Sequence, residues 1–374
     1  MGQRLAIVGA SVRAAAFSAL RGGFSPRAVD LFADADLAAC CPAQRVDHDP
    51  DELGEVLADI APDAWMYTGA LENQPQIVES LCQRFPLLGN RAIALLRVRD
   101  PRWLANCLDR AGLRFPETAW SPADASGDGD WVVKPLASAG GMGVQRWKNS
   151  ENVPVVAGYW QRFVEGDSLS ASYVAAGGKA MLLGVTRQLF RNDAEANFPF
   201  QYAGSVGPWS TTPAIAEKLA ILGDVLATAG DMVGLFGVDF VCRDEEVWCI
   251  EVNPRYTASM ELLEWATCDS FVARHWRACR GEQLAQLVPR KNQQFAKRIL
   301  YARRAFVVNE QLSARWMNER SDGDWWRIAD IPTAGTHLAT GSPVLTVFAS
   351  AADVDRTLAL LDARAAAIYR QIEN

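Results

Sequence analysis

The sequence predicts an α/β fold followed by α+β segments, in three parts covering residues 1–97, 98–290 and 291–374. Three observations carry this prediction. An apolar strand, a small-residue turn and an Ala-rich helix open the chain as a βαβ unit. A glycine-rich strand–loop–strand and a pair of alternating strands occupy the middle, and strands with turns followed by a long amphipathic helix close it.

The bulk properties agree. A chain of 374 residues exceeds what one ordinary core supports, so two or three domains are expected. An apolar fraction of 49% with 22% charged residues is the profile of a folded enzyme. The net charge of −7 argues against a general nucleic-acid binder, because there is no basic excess to neutralise phosphates. No run reaches the ~20 apolar residues of a membrane helix, and Met1 leads directly into a strand-like "RLAIVGAS", so no membrane association and a cytoplasmic location are expected. Eight cysteines without a CxxC pair read as reduced thiols, and three histidines (His48, His275, His337) leave little material for a His-rich zinc site or a Ser-His-Asp triad.

In the first segment, "RLAIVGASVRAAAFSALRGG" gives a strand, a turn and a helix ending at Gly22 and Gly23, with "AVDLFADAD" as the next strand. The turn has one Gly before Ala10 and Ser11 and lacks the Gly-x-Gly-x-x-Gly that close approach of a pyrophosphate requires, so a nucleotide-free Rossmann-like half is expected. "DAWMYTGALEN" supplies another strand with a polar end suited to lining a substrate cleft. The helix from Pro101 carries Pro in its first turn and stops at Gly112, and "SPADASGDGD" (121–130) is a solvent loop.

"WVVKPLASAGGMGVQRW" joins a strand bearing Lys134 to a small-residue loop from Ser138 to Gly143. Glycines let backbone N–H groups turn toward an anion, and the Lys adds a point charge. No Gly-Lys-Ser/Thr follows, so this is not a Walker loop, and a plain hairpin with a glycine turn is the competing reading. Further on, "YWQRFVEGDSLSASYV" sets Phe163 and Val164 before a Glu-Gly-Asp turn: an extended edge able to hold a flat base, with Glu165 or Asp167 for ribose hydroxyls, or simply a hairpin corner.

"GLFGVDFVCRDEEVWCIEVNPR" reads as two antiparallel strands joined by a polar turn at 243–246. Period-two alternation puts Glu251, Asn253 and Arg255 on one face, with Asp239 opposite Glu251. Two carboxylates and an amide carbonyl are the hard oxygen donors expected for Mg²⁺ arriving with a nucleotide, and Arg255 beside them suits charge developing on a transferred phosphoryl or acyl phosphate.

The order "VVKP", "SAGGMGV", "QRFVEGDSLS", "GVDF", "EVNPR" over residues 98–265 resembles the ATP-grasp superfamily, and the flanking segments resemble the Rossmann-like N-terminal domain and small C-terminal cap of its biotin-carboxylase-like branch. The resemblance implies ATP and Mg²⁺ as cofactors. It implies Lys134 on the α- and β-phosphates, a lid formed by Ser138, Gly140, Gly141 and Gly143, and adenine read at Phe163 and Val164 with Gln161 nearby. Asp167 falls at the ribose position, Asp239, Glu251 and Asn253 at the metal positions, and Arg255 and Lys134 at the catalytic ones. The sequence departs from the pattern where a second Lys usually stands, at Pro101, with Arg99 or Arg102 as its replacement; Asp167 and Ser168 stand where the ribose Glu is usual, and Asp239 where Glu is common.

Such a family implies a carboxylate–amine ligase acting through an acyl phosphate on small-molecule substrates, often as a homodimer. "GASVRAAAFSA", "MYTGALEN" and "EVNPRYTASMELLE" further resemble a group of predicted ATP-dependent carboligases linked to methanofuran and tetrahydromethanopterin biosynthesis, with tyramine–glutamate ligation the narrowest reaction implied. A bicarbonate-activating carboxylase and a non-catalytic ATP-binding protein are the alternatives. Glu261 and Glu264 read as a solvated helix face or as groups orienting an amine, and residues 197–209 as a loop walling the acceptor pocket or an ordinary surface loop.

Overall fold

The computed structural model describes residues 2–46, 49–125, 130–147, 157–191, 199–287, 292–322 and 325–373. His48, residues 126–129 of the loop expected at 121–130, and residues 197–198 of the aromatic-rich segment lie outside the described residues.

The N-terminal sheet is parallel, because each strand returns through a helical crossover. Strand β1 (Arg4–Gly9) pairs with β2 (Ser25–Asp30) on one side and β4 (Ala64–Tyr67) on the other, and β3 (Ala43–Arg45) extends it in the order β3-β2-β1-β4. All of β4 and all but the first residue of β1 are buried, as strands covered on both faces require. Leu5 and Ile7 point to one core, and Ala6 and Val8 to the other. Helix α1 (Arg13–Arg21) stops at Gly22, and Gly23 turns the chain with φ of 82°. The winding reverses between β1 and β4, which opens a crevice beyond their C-terminal ends.

Two sheets follow. A four-stranded antiparallel sheet holds Trp131–Pro135 and Gly158–Arg162 at its centre. An eight-stranded antiparallel sheet begins with the hairpin Glu246–Asn253 and Gly234–Arg243, continues through Asp167–Ala176, Lys179–Phe190 and Tyr202–Gly207, and takes Gln294–Tyr301 and Pro343–Ala351 onto the same ladder. On one face Leu169, Ala171 and Tyr173 pack under the helix Pro213–Ala229, and the Tyr173 ring stacks on Phe236 at 4.9 Å. On its C-terminal strands the helix Val354–Glu373 buries Leu361, Ala365 and Ile368 against Leu300 and Val347, forming the small cap. Each buried Leu, Ile or Val among them contributes about 1.5–3 kcal/mol. The helix Pro101–Arg110 has the expected ends: the Asp100 side chain accepts from Arg102 N, and Gly112 follows at φ 69°. No helix of the described residues is long and apolar enough to cross a membrane.

Two expectations are corrected. The helix Met260–Thr267 is not solvated: every residue in it is buried, because it lies between α1 and the large sheet. Glu261 there pairs with Arg13 and Lys297, and Glu264 with Arg21, Ser18 and Tyr256, so both carboxylates tie segments together. Within residues 197–209, Tyr202–Gly207 is an interior strand rather than a loop. Its small residues allow close strand approach: a Cβ on Gly204 would stand 2.0 Å from the Lys297 carbonyl oxygen.

Candidate active site

The hairpin brings its polar residues into register: Asp239 sits opposite Glu251 and Gly237 opposite Asn253. Asn253 Nδ2 donates to Asp239 Oδ2 at 3.2 Å, leaving Asn253 Oδ1 to accept from Arg255 Nη2 at 3.3 Å. Arg255 also donates through Nε and Nη2 to one oxygen of Glu72, Oε1, at 2.8 and 2.6 Å. Glu251 pairs with Arg99 Nη1, whose Nη2 donates to Asn73 Oδ1 at 2.9 Å and to the Ser138 carbonyl at 3.0 Å. Arg99 thus connects the carboxylate platform to the small-residue loop. Arg102, the other candidate for the missing cation, stacks over Trp120 at 3.6 Å instead.

From the opposite sheet Lys134 Nζ reaches Gln161 Oε1 at 3.2 Å and the Ile250 carbonyl at 3.4 Å, so the two sheets meet across this lysine. Gln161 is 1% exposed, and its Nε2 has no protein acceptor. A buried amide donor left open toward a cleft suits a ligand acceptor such as a purine nitrogen. The glycine loop folds down on the same space: Gly141 has φ of 73°, and a Cβ there would stand 1.9 Å from the Phe200 carbonyl oxygen. Only glycine meets both conditions.

These groups line one cleft of about 440 Å³. It collects Lys134, Gly140, Gly141, Gln161, Phe163 and Val164 from one wall and Asp239, Glu251, Asn253 and Arg255 from the other. Ser138, Gly143 and Asp167 stand outside that lining. Ser138 offers its carbonyl to Arg99 and Asn73, and Gly143 lies against the Pro135 ring. Gly166, Ser168 and Ser170 face the cleft, while the exposed Asp167 lines a separate groove beside Arg187.

The electrostatics fit a cation shared with phosphate. Burial and the neighbouring Glu251 charge push Asp239 up to about 6, against hydrogen bonds from Ser170 and Gln188. Burial also acts to raise Glu251, but Arg99, Lys134 and Arg255 outweigh it and hold that carboxyl below its usual range. Two carboxylates in register on adjacent strands therefore repel, and a divalent ion between them would relieve the repulsion. Among the described residues no cluster of three or more His, Cys, Asp or Glu could hold a metal alone. Two carboxylates and an amide carbonyl fit Mg²⁺, which keeps open positions for phosphate oxygens and water.

Sequence reasoning did not assign Glu72, Ser170 or Gln188 to the site, whereas Phe200 belongs to the 197–209 segment that it offered as a pocket wall. Glu72 is 183 residues from Arg255, so no local pattern joins them, although "TGALEN" at a strand end marks the neighbourhood.

Comparison with known proteins agrees with this geometry. Residues 98–259 match the family described as ATP-grasp domain. Over 226 residues the chain is 23% identical to an uncharacterized protein of Methanocaldococcus jannaschii, covering 58% of this chain and 50% of that one, so it spans about half the length of the relative. The N5-carboxyaminoimidazole synthetase of Staphylococcus aureus complexed with ADP superposes with a TM-score of 0.73 at 14% identity, over 98% of this chain and 97% of that one. The biotin carboxylase domain of the Hydrogenobacter thermophilus 2-oxoglutarate carboxylase, in complex with MgADP, ADP and bicarbonate, gives 0.71 at 12% identity over 93% and 86%. The chain thus has the ATP-grasp fold shared with these two structures, and residues 98–259 are the part that matches the ATP-grasp family.

Proposed function

We propose that this protein is an ATP-dependent ligase that joins a carboxylate to an amine through an acyl phosphate. The observation that carries the reading is the convergence in one cleft of Lys134, the Asp239–Glu251–Asn253 oxygen set and Arg255. A carboxylate oxygen attacks the γ-phosphorus, ADP leaves, and the amine then attacks the acyl carbon with loss of phosphate.

Mg²⁺ held by Asp239, Glu251 and Asn253 would neutralise phosphate oxygens. The chain's own groups supply the rest. Lys134 gives a fixed positive charge at the strand end, and the loop containing Gly140 and Gly141 covers the triphosphate with backbone N–H groups and excludes water. Phe163, Val164 and Gln161 hold the base, and Arg255, fixed by Glu72 and Asn253, stands where charge develops on the acyl phosphate. Held by one carboxylate and one amide oxygen, its guanidinium is preorganised for the reaction.

A second reading is a bicarbonate-activating carboxylase, favoured by the likeness to the bicarbonate-bound 2-oxoglutarate carboxylase domain. Within the ligase reading, glutamate with tyramine, in one-carbon cofactor biosynthesis, is the narrowest substrate pair. The test is ADP and phosphate release from MgATP across a panel of carboxylates with and without amines, including glutamate with tyramine, and bicarbonate alone. Release that needs both a carboxylate and an amine supports the ligase; release with bicarbonate alone replaces it by the carboxylase. ATP binding without release under any condition would leave a non-catalytic nucleotide-binding protein.

A further inference from the structure

An amine arriving at an acyl phosphate is protonated at neutral pH and cannot attack until it loses a proton, so the site needs a base. The carboxylates lining the cleft among the described residues are Asp239 and Glu251, both turned to the cation platform. His275 has both ring nitrogens engaged, with Leu235 N and the Leu88 carbonyl. Glu72 is the remaining carboxylate against Arg255.

Its pairing leaves one carboxylate oxygen unmatched. The buried pair of Arg13 and Glu261 is bidentate, Nη1 to Oε1 at 2.7 Å and Nη2 to Oε2 at 2.9 Å. Glu72 instead receives Nε and Nη2 of Arg255 on Oε1 alone, and its Oε2 is buried with no hydrogen-bond partner. Leaving a buried acceptor open is unfavourable, so an open one beside the reacting groups points to a ligand donor. Glu72 lies just past the end of β4, at the reversal of winding next to β1, where Ala10 N donates to the Gly69 carbonyl and a Cβ on Gly69 would stand 3.6 Å from the Arg255 guanidinium carbon. Open α/β sheets bind small molecules at such a crevice. Arg99 and Tyr67 are the other ionisable groups within electrostatic reach of Glu72.

We propose that Glu72 is a catalytic base: its Oε2 takes one proton from the ammonium of the amine substrate, which enters from the crevice between β1 and β4. The freed lone pair forms the C–N bond, the C–O bond to phosphate breaks, and the second amine proton leaves with the released phosphate or to water. This assignment rests on the ligase reading, because it supposes an acyl phosphate waiting for an amine.

The test uses the full-length protein and compares two nucleophiles on the same carboxylates: amines, which are cationic at neutral pH, and hydroxylamine, which is not and traps acyl phosphates as hydroxamates without a base. In Glu72→Gln both products are expected to fall, because Arg255 loses its carboxylate partner, but amide formation falls at least ~100-fold further than hydroxamate formation, the range of a lost general base. The deficit should shrink as pH rises and the amine deprotonates. The amide-to-hydroxamate ratio does not depend on the fraction of folded enzyme, and Glu72→Asp, read by the same ratio, serves if the Gln variant fails to fold. Equal loss of both products would reduce Glu72 to a support for Arg255 and overturn the proposal, as would an unchanged ratio. Wild-type enzyme that yields no hydroxamate with any carboxylate would remove the ligase reading and Glu72's role with it.

Discussion

Asn253 donates to Asp239 across the hairpin, Nδ2 to Oδ2 at 3.2 Å, and this one bond orients the amide so that its oxygen faces Arg255. The amide therefore links the carboxylate proposed for the metal to the guanidinium proposed for the acyl phosphate.

Asp239→Asn combined with Glu251→Gln should abolish Mg²⁺-dependent ADP release with the fold retained, at a somewhat lower thermal midpoint. The substitutions are isosteric and strip the cation site of its charge; relief of the Asp239–Glu251 repulsion offsets part of the cost of leaving Arg99 without its carboxylate. Retained Mg²⁺-dependent release in the double variant would refute the metal assignment.

The hairpin is legible in the sequence because Asp239 and Glu251 interrupt two apolar runs that flank a polar turn, although the register shifts between Asp239 and Phe240. What holds the hairpin's side chains in place is not legible. Arg99 lies 152 residues from Glu251, and Glu72 lies 183 from Arg255; such pairs follow from domain packing, which no local period encodes. The helix Met260–Thr267 misleads for a related reason. Its charged residues suggest a wet face, yet helix α1 and strand Gln294–Tyr301 bring Arg13 and Lys297 to that face. Strand Tyr202–Gly207 is hidden by glycines chosen for close approach, which look like loop residues when read one at a time.

Gly141→Ala and Gly140→Ala should separate steric closure from backbone freedom. Both residues have positive φ, 73° and 61°, so each Ala carries a left-handed cost of about 1–2 kcal/mol. Only at Gly141 does the new methyl strike the Phe200 carbonyl oxygen, at 1.9 Å, whereas at Gly140 it meets open space. The expected result is a KM for ATP raised by tenfold or more, on the order of 1–3 kcal/mol of additional clash, for Gly141→Ala relative to Gly140→Ala. Equal effects would show that the loop does not close against residue 200.

Glu261→Gln should destabilise the protein by about 3–5 kcal/mol, because it removes the anion that neutralises both Arg13 and Lys297 in a buried network. Burial acts to raise the Glu261 carboxyl, but the two cations outweigh it and hold it at about 2. A folded-state value below the unfolded one means the unfolded chain binds the proton first as pH falls. The stabilisation is thus complete above about pH 4.5 and is lost as pH drops toward 2. Urea midpoints of wild type and Glu261→Gln should converge across that window; a gap that stays constant would mean the carboxylate charge is not what stabilises.

His275 should produce a second acid-sensitive window, of different origin. Its ring is buried between the N-terminal segment and the large sheet: Nδ1 accepts from Leu235 N at 2.8 Å, and Nε2, within 3.1 Å of the Leu88 carbonyl, donates to it. That arrangement needs the neutral ring with its proton on Nε2, since a protonated Nδ1 would face a backbone N–H. Burial accordingly lowers the imidazole to about 4, against the Leu88 hydrogen bond. Below about pH 6.5 the unfolded chain takes up a proton that the folded chain refuses, so stability falls from about pH 6.5 down to about 4 and is unaffected above that range. Glu261 is still fully ionised through most of this interval, so the two contributions separate on the pH axis. His275→Gln, which keeps a donor and an acceptor but cannot titrate, should flatten the slope between pH 6.5 and 4.5 while lowering the midpoint at pH 7. A variant that keeps the wild-type slope would assign the acid loss to other groups.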